Sequence, residues 1–278
     1  MHTYDTPAPV SAVVDIVFGS VRFVAGDRAT TVVEVTPADS TWDLDVKAAR
    51  DAEIDFSDGR LTVKHRQMRL ANLFQSRHGR VDVVVELPAG SDVQGTTASG
   101  SFTVEGAAGA VRLKTPTGDV RVERAASLRV RTVGGDVTVG HVTGDADVSG
   151  NGAIRLDRVD GDAVVKNIGG TSVLGEIGGD LRVNSANGDI TVGAARGTVN
   201  VKTASGDLRL GEIGTGPVEL YTPNGDVEIG VPHGTAVALD ARATAGRVRE
   251  YAGAVATTER TVKVRARTHG GDITINYV

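Results

Sequence analysis

The sequence predicts an all-β protein whose body is a stack of repeated strands. Three observations carry the prediction. An X-Gly pair recurs every 17 to 19 residues, at Ser99-Gly100, Thr117-Gly118, Gly134-Gly135, Asn151-Gly152, Gly169-Gly170, Asn187-Gly188, Ser205-Gly206 and Asn224-Gly225. A second register falls halfway between, at Gly109, Ala126, Gly144, Gly161, Gly179, Gly197 and Gly216. Most of these positions lead into Asp and then apolar-x-apolar, as in Gly118-Asp119-Val120-Arg121-Val122 and Gly206-Asp207-Leu208-Arg209-Leu210. A fixed period marks a repeat architecture. Here it reads as a β-solenoid-like coil of about eighteen residues, made of two half-coils of about nine, each with one strand and one turn.

The elements follow in order. Val13, Val14, Ile16 and Phe18 read as a strand running into a turn at Gly19-Ser20. Val21 and Phe23 alternate, and Thr31–Thr36 is β-branched apart from Glu34. Residues 39–52 are ambiguous, because Trp42, Val46 and Ala49 have helix spacing while Leu44 and Val46 alternate. Trp42 is expected in the core of an N-terminal cap. Asp58-Gly59 turns into Leu61-Thr62-Val63, and Val81–Leu87 is a strand closed by Pro88-Ala89-Gly90. The expected organisation is an N-terminal β-rich cap over 1–95, a repeat body over 96–235 and capping strands over 236–278.

Side chains alternate along a strand, so the two apolar residues of each repeat share a face. One inner column should hold Val120/Val122, Val137/Val139, Ile154/Leu156, Ile190/Val192, Leu208/Leu210 and Val227/Ile229. The other should hold Val111/Leu113, Leu128/Val130, Leu181/Val183, Val199/Val201 and Val218/Leu220. The turn glycines are expected at φ > 0, where a Cβ is costly. Other repeat classes fit less well. A hexapeptide helix divides its coil in three, and a calcium-binding nonapeptide helix needs Gly-Gly-x-Gly-x-Asp, which is absent.

Composition narrows the chemistry. Glycine is 36 of 278 residues and aromatics are 4%, which suits thin strands and not an aromatic ligand cage. A net charge of −5 gives no global field for nucleic acid. Without cysteine there is no disulfide, thiol nucleophile or Cys-bound zinc. The glycine run Gly211–Gly216 precedes a strand, so it lacks the helix N-terminus that binds phosphate. No cofactor is expected. No signal peptide, apolar span or lipidation motif is read, and the expected location is cytoplasmic.

The array resembles the β-strand-repeat family of putative adhesins, also called toastrack domains. GGDVTVG, GDLRVNSANGDITV and KTASGDLRLGEIG carry the likeness. So do the start, PVSAVVDIVFGSVRFVAGDRATTVVEV, and the end, VKVRARTHGGDITINYV. The resemblance implies the architecture and brings no catalytic residues. It also implies an alternative function, an envelope-stress sensor or an adhesin-like surface-binding module.

Two features could carry binding. Residues 64–80 hold Lys64, Arg66, Arg69, Arg77 and Arg80, no acid, and the apolar Met68, Leu70, Leu73 and Phe74. A basic amphipathic stretch can dock on a protein or an anionic membrane. Arg66, Arg69, Phe74, Arg77 and Arg80 are therefore the candidate contacts. The second feature is the Asp ladder, in which Asp145, Asp162 and Asp180 should stack in one column. Such a column either holds a cation or accepts turn N–H bonds. The expected function is a non-enzymatic binding or scaffold module with a protein partner, and exposed strand edges offer a homodimer contact. An enzyme acting on polysaccharide ranks third.

Overall fold

The computed structural model describes residues 1–65, 79–251 and 261–278. Strand dominates, and the described residues hold one short helix. The chain divides into two compact units, Met1–Asp136 and Val137–Val278.

The first unit comprises β1 (His2–Asp5), β2 (Ser11–Gly26), β3 (Thr30–Pro37), α1 (Asp43–Arg50), β4 (Ala52–Ser57), β5 (Arg60–His65), β6 (Val81–Pro88), β7 (Asp92–Ser99), β8 (Phe102–Thr117) and β9 (Val120–Gly134). The expected turn at Gly19 is a corner inside one long strand. Gly19 has φ 136°, and a Cβ there would lie 1.7 Å from the Val81 carbonyl oxygen. Before the corner, β2 lies parallel between β5 and β7. After it, β2 lies parallel between β6 and β8. Among the described residues antiparallel pairing is confined to β1 with β3, β3 with β6, and β4 with β5. These are the strands ahead of the repeats, and their pairing closes edges that parallel strands would leave open.

The ambiguous stretch resolves as α1 followed directly by β4. Trp42 sits at the helix N-cap and is 50% exposed, so the expectation of a core tryptophan fails. Ala48 and Asp45 are the helix residues that are buried instead.

The second unit comprises β10 (Val137–Val142), β11 (Ala146–Gly150), β12 (Ile154–Val159), β13 (Ala163–Asn167), β14 (Ser172–Ile177), β15 (Leu181–Asn187), β16 (Ile190–Ala195), β17 (Val199–Ser205), β18 (Leu208–Ile213), β19 (Val218–Asn224), β20 (Val227–Val231), β21 (Ala236–Ala243), β22 (Val248–Glu250), β23 (Thr261–Gly270) and β24 (Ile273–Tyr277). Among the described residues the pairings within this unit are parallel, and from β10 to β20 each joins strands of successive coils. Ile154 pairs with Ser172, Ser172 with Ile190, Ile190 with Leu208 and Leu208 with Val227. On the other side Leu181 pairs with Val199, and Val199 with Val218. The last coil in sequence is not the last in space. Strand β23 lies between β19 and β21, and β24 lies between β20 and β22.

Every residue named for the two inner columns is buried. Full burial of a Val, Leu or Ile contributes about 1.5–3 kcal/mol. One coil exposes its inner face, so this stabilisation exists only between stacked neighbours.

The corners explain the glycines in two ways. In the first register Gly188 and Gly206 have φ 103° and 134°, and an added Cβ would lie 2.2 and 2.4 Å from the carbonyl oxygen of the preceding coil's glycine. In the second register Gly179 has no positive φ, contrary to expectation. It stands there because a Cβ would lie 2.2 Å from the Asp162 carboxylate.

A column of buried hydroxyls completes the first corner. Thr222 Oγ1 donates to the carbonyls of Gly206 (3.0 Å) and Asn224 (3.1 Å), and Thr115 Oγ1 does the same to Gly100 (2.8 Å) and Thr117 (2.9 Å). Thr132, Thr203 and Thr268 also bond corner carbonyls.

Gly206→Ala is therefore expected to destabilise the protein by about 1–3 kcal/mol, through positive φ and close approach together. Gly134→Ala is the control, because its nearest foreign atom would be 3.9 Å from the new Cβ. Urea unfolding should show a lower midpoint for the first and a level or slightly higher one for the second.

Candidate functional site

Of the basic segment, Arg66, Arg69, Phe74 and Arg77 lie outside the described residues. Arg80 is placed, and its backbone is held. Buried Asp45 of α1 accepts the Arg80 N–H through Oδ1 (2.8 Å) and the Asp39 N–H through Oδ2 (3.1 Å). The Arg80 carbonyl accepts the Ala38 N–H at 3.1 Å. The Arg80 side chain is left exposed.

Asp145, Asp162 and Asp180 stack as expected. Each Oδ1 accepts a backbone N–H one coil further on: Asp145 from Asp162 (2.9 Å), Asp162 from Asp180 (2.8 Å) and Asp180 from Thr198 (2.7 Å). The other column behaves alike, from Asp189 to Asp207, Asp226, Asp272 and finally Arg247 N. A carboxylate that accepts a backbone N–H makes a charge-assisted bond, which is stronger than a neutral one. Among the described residues no three His, Asp or Glu side chains converge as they would on a metal ion.

The outward faces carry ranks of charge. In the second unit, Arg158 Nε donates to Asp160 (2.7 Å) and Nη1 to Glu176 (3.3 Å), while His141 Nε2 meets Asp160 at 2.8 Å. Arg209 faces Glu228 at 3.5 Å on the neighbouring strand. Such pairs are individually weak at a solvated surface.

A groove of about 560 Å³ lies over β17, β19, β23 and β21. Thr198, Pro217 and Ala238 contribute its small and apolar lining, and Asn200, Glu219, Asp240, Lys263 and Arg265 its polar groups. Asn200 Nδ2 donates to Glu219 at 2.8 Å. Asp240 faces three arginines. Arg267 grips it with two bonds, at 2.9 and 2.6 Å, and Arg265 and Arg242 stand 3.5 and 3.7 Å away. The Arg267 bonds, supported by the charges of Arg267, Arg242 and Arg265, hold the Asp240 carboxyl below its ordinary pKa of 3.8. This clamp fastens β21 to β23. Sequence reading missed the groove, because it depends on the insertion of β23 beside β19. The fragment RARTHGGD, rich in Arg just before a glycine corner, is the local signal that could have pointed to it.

The model of the Toastrack family, DUF4097, matches residues 13–276. No curated protein matches the chain. Among solved structures it is similar to a "putative adhesin" of Parabacteroides distasonis at 14% identity, over 100% of this chain and 95% of that one, with a TM-score of 0.40. A "putative lipid binding protein" of the same organism is 12% identical over 100% and 96%, with a TM-score of 0.32. A "putative adhesin" of Bacteroides fragilis is 10% identical over 100% and 95%, with a TM-score of 0.27. No helix among the described residues is long and apolar enough to cross a membrane.

A carboxyl whose pKa is depressed by folding stabilises the fold above its unfolded pKa. That stabilisation is lost as pH falls through the folded value. Asp240→Asn should therefore lower the melting temperature at neutral pH, and the difference from the intact protein should shrink in acid below 3.8. In a carboxyl-detected NMR titration, Asp240 should titrate below 3.8, and Arg267→Gln should move it upward.

Proposed function

The chain belongs to the Toastrack family, and on that footing we propose that it is a non-enzymatic binding or scaffold module that engages a protein partner on its outer sheet face. The groove over β17, β19, β23 and β21 is the observation that supports this reading. It has room for side chains of a partner and rests on a parallel sheet. Its rim is selective. Glu219 and Asp240 are already held by Asn200 and Arg267, whereas Lys263 has no ion pair among the described residues. Lys263 is thus the cation left for a partner's carboxylate. Binding sites on a preformed face lose little ordering entropy on association. The adhesin-like alternative uses the same face, with a surface ligand in place of a soluble protein. The basic segment 64–80 is a second contact in this reading, for a protein or an anionic membrane, and exposed strand edges offer a homodimer contact.

The test is a pull-down from native lysate with three forms of the chain. Ala238 is exposed and points outward, so Ala238→Arg fills the groove without touching the core. A defined protein recovered by the intact chain and lost with Ala238→Arg is the expected result. A second variant changes Arg66, Arg69, Arg77 and Arg80 to Ser, and a loss confined to it would move the contact to residues 64–80. Equal recovery by all three forms would overturn both sites.

A further inference from the structure

In the first unit, the halves of β7, β8 and β9 that carry Val93, Val111 and Leu128 run side by side. Val111, Leu113, Leu128 and Val130 point inward and are buried. Strand alternation then sends Arg112, Lys114, Arg129 and Arg131 outward, and all four are exposed. The register sets Arg112 directly beside Arg129, and Lys114 beside Arg131. Four cations therefore occupy a rectangle of about 4.8 by 6.7 Å, the strand spacing and twice the rise per residue.

Like charges directly opposite each other destabilise a sheet. The outward arginines Arg155, Arg158 and Arg209 of the second unit each face a carboxylate. Arg112, Lys114 and Arg131 make no ion pair among the described residues. In the Lys114 rank, Thr96 stands between Lys114 and Asp15, so the carboxylate of that rank is not the immediate neighbour. Arg129 is engaged within the chain, whereas the other three cations of the rectangle have no internal counter-charge among the described residues and are left to meet an external one.

The residues just beyond these ranks decide what kind. Thr97, Thr115 and Thr132 turn inward, and Ala98, Pro116 and Val133 emerge next to one another on the same three strands. Val133 is 64% exposed. A cationic face bordered by an exposed aliphatic ridge matches the boundary of a bilayer, where phosphates lie above the first methylenes. We infer that this face binds a membrane surface rich in anionic lipid, with Arg112, Lys114 and Arg131 on the phosphates and Val133 at the acyl boundary. This face shares no residue with the groove and does not rest on it.

The test is co-sedimentation with vesicles of phosphatidylglycerol and phosphatidylcholine in equal parts, against vesicles of phosphatidylcholine alone, at low ionic strength. The variant Arg112→Gln/Lys114→Gln/Arg131→Gln leaves Arg129 in place and changes only exposed side chains. The intact chain should bind the anionic vesicles and the triple variant about a hundredfold more weakly, at roughly a factor of five per cation. Val133→Asp should weaken binding with all four cations intact. Thermal unfolding checks the fold, and the triple variant should melt no lower than the intact protein, because it relieves cation crowding. Equal sedimentation of the intact chain and the triple variant would overturn the proposal. So would retention on poly-glutamate without sedimentation, which would assign the face to an acidic protein.

Discussion

The structure depends on one constraint, the distance between successive coils. Parallel strands in register sit about 4.8 Å apart. Corners joining such strands must stack at that distance too, and backbone carbonyls then come too near for a Cβ. Gly188, Gly206 and Gly225 satisfy this at one corner, each stacked on the glycine of the coil before. At the other corner Gly161, Gly179 and Gly197 leave room for an Asp carboxylate. That carboxylate reaches the next coil and accepts its N–H. Spacing, glycine and aspartate are thus consequences of a single geometry. The inner valines and leucines supply the stabilisation, and the corners fix which residue lies above which.

A face made this way has properties useful for binding. Its backbone is set by ladder bonds on both sides of every inner strand, so outward side chains project from fixed points. Their identities are free to vary, because outward positions do not contribute to packing. In the second unit many of these positions carry paired charges, as at Arg158, Asp160 and Glu176. In the first unit the outward positions of β8 and β9 carry cations without such pairing at Arg112, Lys114 and Arg131. The core tells little about function in such a chain, because the same packing serves any set of outward side chains.

Local signals made the repeat legible in the sequence. Apolar pairs after each Gly-Asp predicted the buried columns, since strand alternation needs no distant information. The X-Gly register predicted corners with positive φ at Gly188 and Gly206. The Thr column was also legible, because Thr, Asn or Ser stands three residues before Gly100, Gly118, Gly170, Gly188, Gly206, Gly225 and Gly271. Its meaning emerges only when the corner carbonyls it bonds are seen. Other features were not legible, because they are non-local. Insertion of β23 and β24 into the stack depends on partner residues 46 positions away, in β19 and β20. Trp42 has a core composition and an exposed position, and nothing nearby in sequence distinguishes the two. The groove at Asp240 follows from the same insertion and was equally hidden.

The Asp ladder is the most direct test of the account, because one geometry assigns it to stacking and another would assign it to a cation. The measurement is native-state hydrogen exchange of the Asp180 N–H in the intact protein and in Asp162→Ala, each with chelator and with added Ca²⁺. The account predicts that the Asp180 N–H, which donates to Asp162 Oδ1, exchanges about tenfold faster in the variant. It also predicts that Ca²⁺ leaves both proteins unchanged. Unaltered protection in the variant, or protection in the intact protein that rises with Ca²⁺, would contradict it.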